Sequence, residues 1–149
     1  MFTKILAAVD GSARALPVLG IARELALRFD AQLYPFRAVF VPPDFPPAAA
    51  LHYTDSMSEY LVKGATDELA SWMPRLAPAR VMDPVVRVGP AWRAILDVAD
   101  ELDTDLIVIG SHGYGGWDHL VGTTAARVVD LAKRNVFVVH EALAGPGAP

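Results

Sequence analysis

A run of small and hydroxylated residues in the last third of the chain has the composition of an anion-binding loop. The glycine-rich stretch Gly110–Gly122 follows the apolar run Leu106–Ile109 and precedes Thr123 and Thr124. This order predicts a buried strand, a glycine-rich loop and the first turn of a helix. Backbone N–H groups at a helix N-terminus are unpaired, the helix dipole favours negative charge, and glycine lets the backbone approach a phosphate closely. The segment therefore favours phosphate or nucleotide binding.

The other reactive residue types form no catalytic motif. The lysines are Lys4, Lys63 and Lys133, none in a glycine-rich loop, and there is no G-x-S-x-G motif. His112 could act as a general acid, but no partner carboxylate can be placed beside it, so packing on a ligand or facing solvent is the favoured role. The four histidines also lack the spacing of metal ligands. We expect no catalytic residue, no protein-supplied metal site and negligible turnover.

The composition is typical of a single globular domain. Of 149 residues, 53% are hydrophobic and 20% charged, the net charge is −4, and there is no cysteine. The basic residues are scattered, which argues against nucleic acid as a partner. No apolar run approaches the length of a membrane span. We expect a cytoplasmic protein with one domain over residues 1–141 and a loose tail over 142–149, rich in Ala, Gly and Pro.

Short apolar runs alternate with amphipathic segments, so the sequence predicts five strands and four helices. The predicted strands cover residues 5–9, 31–41, 83–88, 106–109 and 136–139. Pro35 is unfavourable inside a strand because it has no N–H to donate, so the second strand is expected to start late or bend there. Such alternation predicts an α/β fold around a parallel sheet with right-handed crossovers.

The predicted helices begin at recognisable signals. Ser12 is a candidate N-cap for the first helix, and Ser56–Glu59 matches a capping box for the second. The third helix follows Gly89, and the fourth follows Gly122. The fourth is expected to bury four apolar side chains: Ala125, Val128, Val129 and Ala132.

Ligands in open parallel sheets bind beyond the carboxyl ends of the strands, where the strand order reverses. Asp10 and Gly11 follow the first predicted strand, and Gly110–Gly113 follows the fourth. A topology with these two strands side by side would bring both segments to one crevice.

Several segments, taken in order, resemble the universal stress protein family. They are Val9-Asp10-Gly11-Ser12, Val86-Arg87-Val88-Gly89, Asp105–Gly113 and Val136-Phe137-Val138-Val139, and the resemblance extends over about residues 2–140. It implies a Rossmann-like fold, similar to the adenine nucleotide alpha hydrolases, with five parallel strands in the order 3-2-1-4-5 and helices on both faces. It also implies a homodimer and, in one branch of the family, a bound ATP.

The ATP-binding branch carries the motif G-x2-G-x9-G-[ST]. Gly110 and Gly113 match its first half, and Gly122 with Thr123 resembles the second, although only eight residues intervene between Gly113 and Gly122. The loop also contains no Lys or Arg before Arg127. Phosphate binding would then depend on backbone N–H groups and the Thr123 and Thr124 hydroxyls. We expect weakened binding that depends more on Mg²⁺ or Mn²⁺ held through the phosphates.

The resemblance also implies roles for residues outside the loop. Asp10 would contact the adenosine part of the ligand, and Ala38 and Val39 would form the wall of the adenine pocket. The other implied contacts are Val9, Gly11, Ile109 and His112. Each has an ordinary structural alternative: Asp10 favours a turn before a helix, Ala38 and Val39 suit the core, and glycines shape turns.

Three functions are left open by the sequence. The favoured one is a homodimeric, ATP-binding regulatory protein of the stress response, which pairs through the apolar strand Val136–Val139. The alternative is a dimeric interaction protein of the same family that binds no nucleotide. A third, weaker alternative is slow ATP hydrolysis or another adenylyl chemistry.

Overall fold

The protein forms an open parallel sheet with helices on both faces. The computed structural model describes residues 1–40, 50–111 and 123–140, and for residues 50–56 it describes the backbone alone. The strands are β1 (Lys4–Val9), β2 (Gln32–Val39), β3 (Arg80–Val81), β4 (Val85–Val88), β5 (Leu106–Gly110) and β6 (Asn135–Val139). The helices are α1 (Ala15–Phe29), α2 (Ala50–Trp72), α3 (Ala91–Glu101) and α4 (Thr123–Leu131), and a 3₁₀ turn covers Met73–Leu76.

The sheet order is β3-β2-β1-β5-β6, and β4 also pairs with β2. All five pairings are parallel. The predicted α/β class and the order of its strands are thus confirmed. The strand order reverses between β1 and β5, since the chain moves to one side from β1 to β2 and returns to the other side at β5.

Two apolar clusters hold the helices against the sheet. Alternate residues of a strand point to opposite faces, and here both faces are covered. On one face Ile5 and Ala7 pack with residues of α1, including Val18 and Leu19, and with Trp72 at the end of α2. On the other face Leu6 and Ala8 pack with side chains from α3 and α4. Strands buried on both faces are the reason that the sequence shows continuous apolar runs.

The outer strand beside β2 is divided into two short pieces, which the sequence did not predict. The expected strand over 83–88 starts only at Val85, and β3 is an additional strand. The Leu33 carbonyl of β2 accepts a bond from Met82 N at 2.8 Å, so odd-numbered residues of β2 direct their backbone groups toward this edge. Pro35 shares that parity, and its missing N–H faces the break between β3 and β4. The expectation that β2 would start late was wrong, because the strand runs from Gln32 through Pro35 and it is the neighbouring strand that is interrupted.

Three further expectations about the helices were wrong. The Ser56 capping box does not begin α2, which starts at Ala50. Ser12 is not the N-cap of α1, because the helix begins after Arg14. Val129 is 52% exposed, since α4 turns only Ala125 and Val128 fully into the core. The proposed tail over residues 142–149 lies outside the described residues.

Candidate functional site

A cavity of about 450 Å³ opens at the carboxyl ends of the central strands. It is lined from β1, β2 and β5, and from residues that follow β4. This is the position where the strand order reverses, which is the usual ligand site of open α/β sheets. Its volume lies within the range of small-molecule pockets, roughly 300–1,000 Å³.

Most of the residues singled out from the sequence meet at this cavity. Those that line it are Val9, Asp10, Gly11, Ala38, Val39, Ile109, Gly110 and Thr124. Thr123 is the exposed first residue of α4 and is not among the lining residues. His112, Gly113 and Gly122 lie outside the described residues. The structure thus brings together the ends of β1, β2 and β5 and the start of α4.

The turn after β1 is organised by the Asp10 carboxylate. Its Oδ1 atom accepts hydrogen bonds from Ser12 N at 2.9 Å and from the Ser12 hydroxyl at 2.5 Å. The Ser12 hydroxyl in turn accepts a bond from Arg14 N at 3.2 Å. Ser12 therefore takes part in the turn, which is why α1 begins later than predicted. These bonds also fix the Asp10 carboxylate at the cavity wall.

Gly11 gives room to an arginine from the neighbouring strand. A Cβ at Gly11 would lie 2.8 Å from Arg37 Cζ, so the guanidinium occupies the space that a side chain would need. Arg37 Nη1 forms an ion pair with Glu68 of α2. Arg37 lines the cavity and is only 22% exposed. Because arginine remains charged at any physiological pH, the cavity wall carries a fixed positive group.

The end of β5 contains a buried hydroxyl group without a partner. Ser111 is 2% exposed and lines the cavity, and its N–H bonds to the Val139 carbonyl at 2.9 Å. Its Oγ atom has no hydrogen-bond partner among the described residues. A buried unsatisfied hydroxyl is costly, so such an atom calls for an explanation such as a ligand. Beside it, a Cβ at Gly110 would lie 3.3 Å from Val18, so a glycine permits close packing of β5 on α1.

The first turn of α4 borders the same side of the cavity. Thr124 lines the cavity, and the first turn contains no acidic residue. The positive end of the helix dipole is therefore not offset by an acidic side chain within that turn. Together with the Ser111 hydroxyl, this end of the cavity can donate hydrogen bonds to an anion.

Beyond Arg37, the side of the cavity at β2 and β4 is lined by apolar residues. They are Ala38 and Val39 of β2, Phe40, which directly follows β2, and Leu61 of α2. Gly89 has φ of 142°, a conformation that favours glycine, and its N–H bonds to the Val39 carbonyl at 2.9 Å. The ends of β2 and β4 are thus joined at the cavity mouth.

Sequence reasoning did not assign several of the residues that line the cavity, among them Arg14, Arg37, Phe40 and Ser111. Ser111 stands inside the glycine-rich motif, and its position after β5 was the available signal. Arg37 gave a signal too, since a charged residue near the end of a buried strand faces a site or an ion pair. Arg14 and Phe40 depend on how the turns after the strands fold, which the sequence pattern does not specify.

Charged groups on the cavity wall have both signs, with Asp10 opposed by Arg14 and Arg37. Within the described residues, no three His, Cys, Asp or Glu side chains lie close enough together to hold a metal ion. Among the helices that the structure describes, none is long and apolar enough to cross a membrane.

Comparisons with known proteins identify the family. The model of the universal stress protein family matches residues 1–140, and the chain belongs to this family. Universal stress protein A homolog 2 of Coxiella burnetii is 32% identical over 127 residues, which cover 83% of this chain and 84% of the relative.

Solved structures agree with this assignment. The universal stress protein UspA from Lactobacillus plantarum superposes with a TM-score of 0.81 at 27% identity, covering 93% of this chain and 97% of that one. A universal stress protein solved in complex with cAMP superposes with a TM-score of 0.67 at 22% identity, covering 93% and 97% of the two chains. At that identity the second likeness is one of fold.

Proposed function

We propose that this universal stress protein binds an adenine nucleotide in the cavity at the carboxyl ends of β1, β2 and β5, and that it acts as a regulatory protein of the stress response. The observation that carries the proposal is the buried Ser111 hydroxyl, which lines the cavity without a partner among the described residues. It stands beside the N-terminal turn of α4, so an anion placed there would meet both a hydroxyl donor and helix N–H groups.

The distribution of polarity supports a nucleotide over a simple anion. Ser111 and the first turn of α4 provide hydrogen-bond donors at the β5–α4 end. On the β2 side the Arg37 guanidinium is paired with Glu68, and the apolar residues Ala38, Val39 and Phe40 beyond it offer a surface for a base. Asp10 lies between these ends on β1, where a carboxylate suits ribose hydroxyls as donors. A structural neighbour solved with cAMP belongs to the same family. ATP, as the resemblance implied, is the nucleotide that we propose.

The described residues fit a nucleotide whose metal ion is held by its own phosphates. The chain supplies no group of three metal-binding side chains in its described part. A divalent cation such as Mg²⁺ or Mn²⁺ would neutralise phosphate charge there. The residues of this chain would hold the nucleotide around it, with Thr124 and Ser111 at the phosphate end.

We propose a binding protein in the cytoplasm, without significant turnover. Phosphoryl transfer needs a positioned nucleophile and concentrated charge around the phosphates. The ionic groups that line the described cavity are Asp10, Arg14 and Arg37, of which Asp10 is engaged by Ser12 and Arg37 by Glu68. We expect phosphate release far below roughly 1 per second, the low end of typical enzymes. A phosphate-release assay on the purified protein with ATP and Mg²⁺ measures this.

Two measurements test nucleotide binding directly. Mass spectrometry of the denatured protein would reveal a nucleotide retained through purification, and calorimetry with ATP and Mg²⁺ would give its affinity. Ser111→Ala should weaken ATP binding by about tenfold or more, since one hydrogen bond to a charged group is lost. The same change should leave the unfolding free energy equal or higher, because it removes an unsatisfied buried hydroxyl.

Thr66→Val is the matched control, because its hydroxyl bonds at 2.7 Å to the Val62 carbonyl within α2 and is not among the cavity-lining groups. It should leave ATP affinity unchanged. Absence of ATP binding by the wild type would contradict the proposal and favour the alternative, a dimeric interaction protein that binds no nucleotide.

We also propose that the protein forms a homodimer through β6. This strand is the last of the sheet order, and its neighbourhood exposes apolar side chains, with Phe137 43%, Val129 52% and Leu131 50% exposed. Exposed apolar edge strands promote association. The Val139 carbonyl accepts the bond from Ser111 N, so Val136 and Val138 have the opposite parity and direct their backbone groups outward.

Val138→Pro should therefore remove an outward N–H while leaving the bonds to β5 in place, and we expect it to weaken dimerisation. Light scattering at micromolar concentration measures the mass of wild type and variant. A monomeric wild type, or a proline variant that dimerises as well as the wild type, would contradict pairing through this edge.

A further inference from the structure

Phe40 is an exposed aromatic side chain on the wall of the cavity. It is 60% exposed, whereas Phe36, Ile109 and Val39 of the same wall are buried, at 1%, 5% and 7% exposed. Phe40 thus contributes little to the core. An aromatic ring at the mouth of a concave site offers a flat surface on which another ring can stack.

The surroundings of Phe40 leave space beside a rigid support. Its neighbour Val39 is tied to β4 by the bond from Gly89 N, so the backbone at this end of the cavity is fixed. Gly89 itself lines the cavity, and nothing lies within 4 Å of the position where its Cβ would be. Leu61 adds a further apolar side chain from α2. Phe40, Gly89 and Leu61 together form the rim of the cavity, called the lip below, with one aromatic ring and open space beside it.

The position of the lip determines which part of a ligand it would meet. Ser111 and the first turn of α4, which can donate to an anion, lie at the β5 side of the cavity. Phe40 lies at the β2 side, where the Arg37 guanidinium is already paired with Glu68. A molecule with an anionic end and a flat apolar end therefore fits with its flat end at Phe40. We infer that Phe40 is a positioning residue that stacks on the base of the bound nucleotide, an inference that rests on the nucleotide-binding function proposed above.

Val88 is a second exposed apolar residue at this end of the sheet and can be compared with Phe40. Val88 is 49% exposed and pairs with Val39, but it is not among the residues that line the cavity. If the apolar surface at this end served only to contact another protein, Phe40 and Val88 would be equally important. A stacked base involves Phe40 alone.

Calorimetry with two ligands separates base recognition from anion recognition. Phe40→Ala should weaken ATP binding by about tenfold or more, the size of the loss when a base–aromatic stack is removed. Its affinity for inorganic tripolyphosphate should equal that of the wild type. Phe40→Trp should restore ATP binding, Phe40→Leu should restore it only in part, and Val88→Ala should leave it unchanged. Because Phe40 is exposed, all variants should unfold at the wild-type midpoint.

Nuclear magnetic resonance of the bound ligand provides a direct signature of stacking. The adenine H2 and H8 resonances of ATP should shift upfield on binding to the wild type, because they lie over the ring face. That shift should be lost in Phe40→Leu, which keeps an apolar side chain but has no ring.

The outcomes distinguish this inference from the proposed function. A wild type that binds ATP, combined with a Phe40→Ala variant of equal affinity, would overturn the stacking role and leave nucleotide binding intact. Equal weakening of tripolyphosphate and ATP in Phe40→Ala would also overturn it, since Phe40 would then act on the cavity as a whole. A wild type that binds neither ligand would overturn both proposals.

Discussion

The two ends of the parallel sheet use their polar groups differently. At the amino end, Asp105 Oδ2 accepts bonds from Thr3 N at 2.6 Å, the Thr3 hydroxyl at 2.7 Å and Lys4 N at 2.8 Å. At the carboxyl end, Asp10 bonds only to its own turn among the contacts described above, and the Ser111 hydroxyl has no partner in the described residues. One aspartate joins two strands, whereas the other stands at a cavity.

Further contacts extend the difference. Lys4 Nζ donates to the Leu102 carbonyl at 2.9 Å, and Arg134 donates to the Thr104 carbonyl at 2.7 Å and to Asp100 at 2.6 Å. These bonds tie the start of β1 and the start of β6 to the segment before β5. The amino end is therefore stabilised by bonds within the protein, and the carboxyl end keeps donors and apolar surface available for a ligand. This division predicts that stability and binding can be changed separately.

The largest expected effect is on stability, from the amino end. Asp105→Ala removes a charged acceptor of three bonds and should lower the free energy of unfolding by about 3 kcal/mol. ATP affinity should not change, since Asp105 lies at the other end of the strand from the cavity. Urea denaturation and calorimetry measure the two quantities. As a control, Asp103→Asn should have a much smaller effect, because its carboxylate is 89% exposed and meets Arg134 at 3.3 Å, and asparagine tolerates the φ of 50° at this position. If Asp105→Ala lowered ATP affinity as strongly as it lowered stability, the two ends of the sheet would not be independent.

The pH dependence of stability provides a second test of the stabilising role of the Asp105 carboxylate. The Thr3 hydroxyl, followed by the Thr3 and Lys4 amides, holds the pKa of Asp105 below its usual value. A lowered folded-state pKa stabilises the protein above the unfolded-state pKa, and this stabilisation is lost as the pH falls through the folded-state pKa.

The free-energy difference between wild type and Asp105→Asn should therefore be constant above about pH 5 and should shrink below about pH 4, near the unfolded-state value. Urea titrations of both proteins, at pH values from below this decrease up to neutral, measure the difference. A free-energy difference that increases as the pH falls would show that another titrating group dominates the pH dependence.

The smallest expected effect concerns the carboxyl end. Glu68→Gln should lower the unfolding free energy by about 0.5–1 kcal/mol, as expected for a partly exposed ion pair with Arg37. In a Gly11→Ala background, Glu68→Gln should leave the unfolding free energy almost unchanged, because the new Cβ has already displaced the Arg37 guanidinium from Glu68. A double-mutant cycle measures this coupling. Glu24→Gln, which breaks the exposed pair with Arg23 on α1, should cost the same in both backgrounds. Additive effects of Gly11→Ala and Glu68→Gln would show that Arg37 does not depend on Gly11.

The sequence predicted the architecture well because buried strands and amphipathic helices leave periodic patterns. The runs at residues 5–9 and 106–109 lie in β1 and β5, as the pattern predicted, and their order with β2 and β6 is the one that the family resemblance implied. Asp10 and Gly110 could be placed at one crevice because parallel strands end at the same side of a sheet. Their proximity follows from topology and needed no side-chain detail.

What the sequence did not predict depends on local competition between hydrogen bonds. Ser12 is a good N-cap by type, and its hydroxyl does accept a bond from Arg14 N, but residues 11–14 form a turn and α1 begins only at Ala15. The Ser56 capping box likewise lies inside a longer helix. Arg37 could not be placed from the pattern, since its position depends on the space above Gly11 and on Glu68 across from it.

The interruption of the strand beside β2 has a consequence for how copies of this protein can assemble. A sheet with two continuous outer strands could add copies at both sides and grow into a filament. Here one outer side consists of the short pieces Arg80–Val81 and Val85–Val88, and the other is the unbroken strand Asn135–Val139. Only the unbroken side offers a full ladder for another strand. If copies of this protein pair through their strands, as proposed above, the described edges favour a closed pair over an open filament, because the ladder is interrupted on the side opposite Pro35.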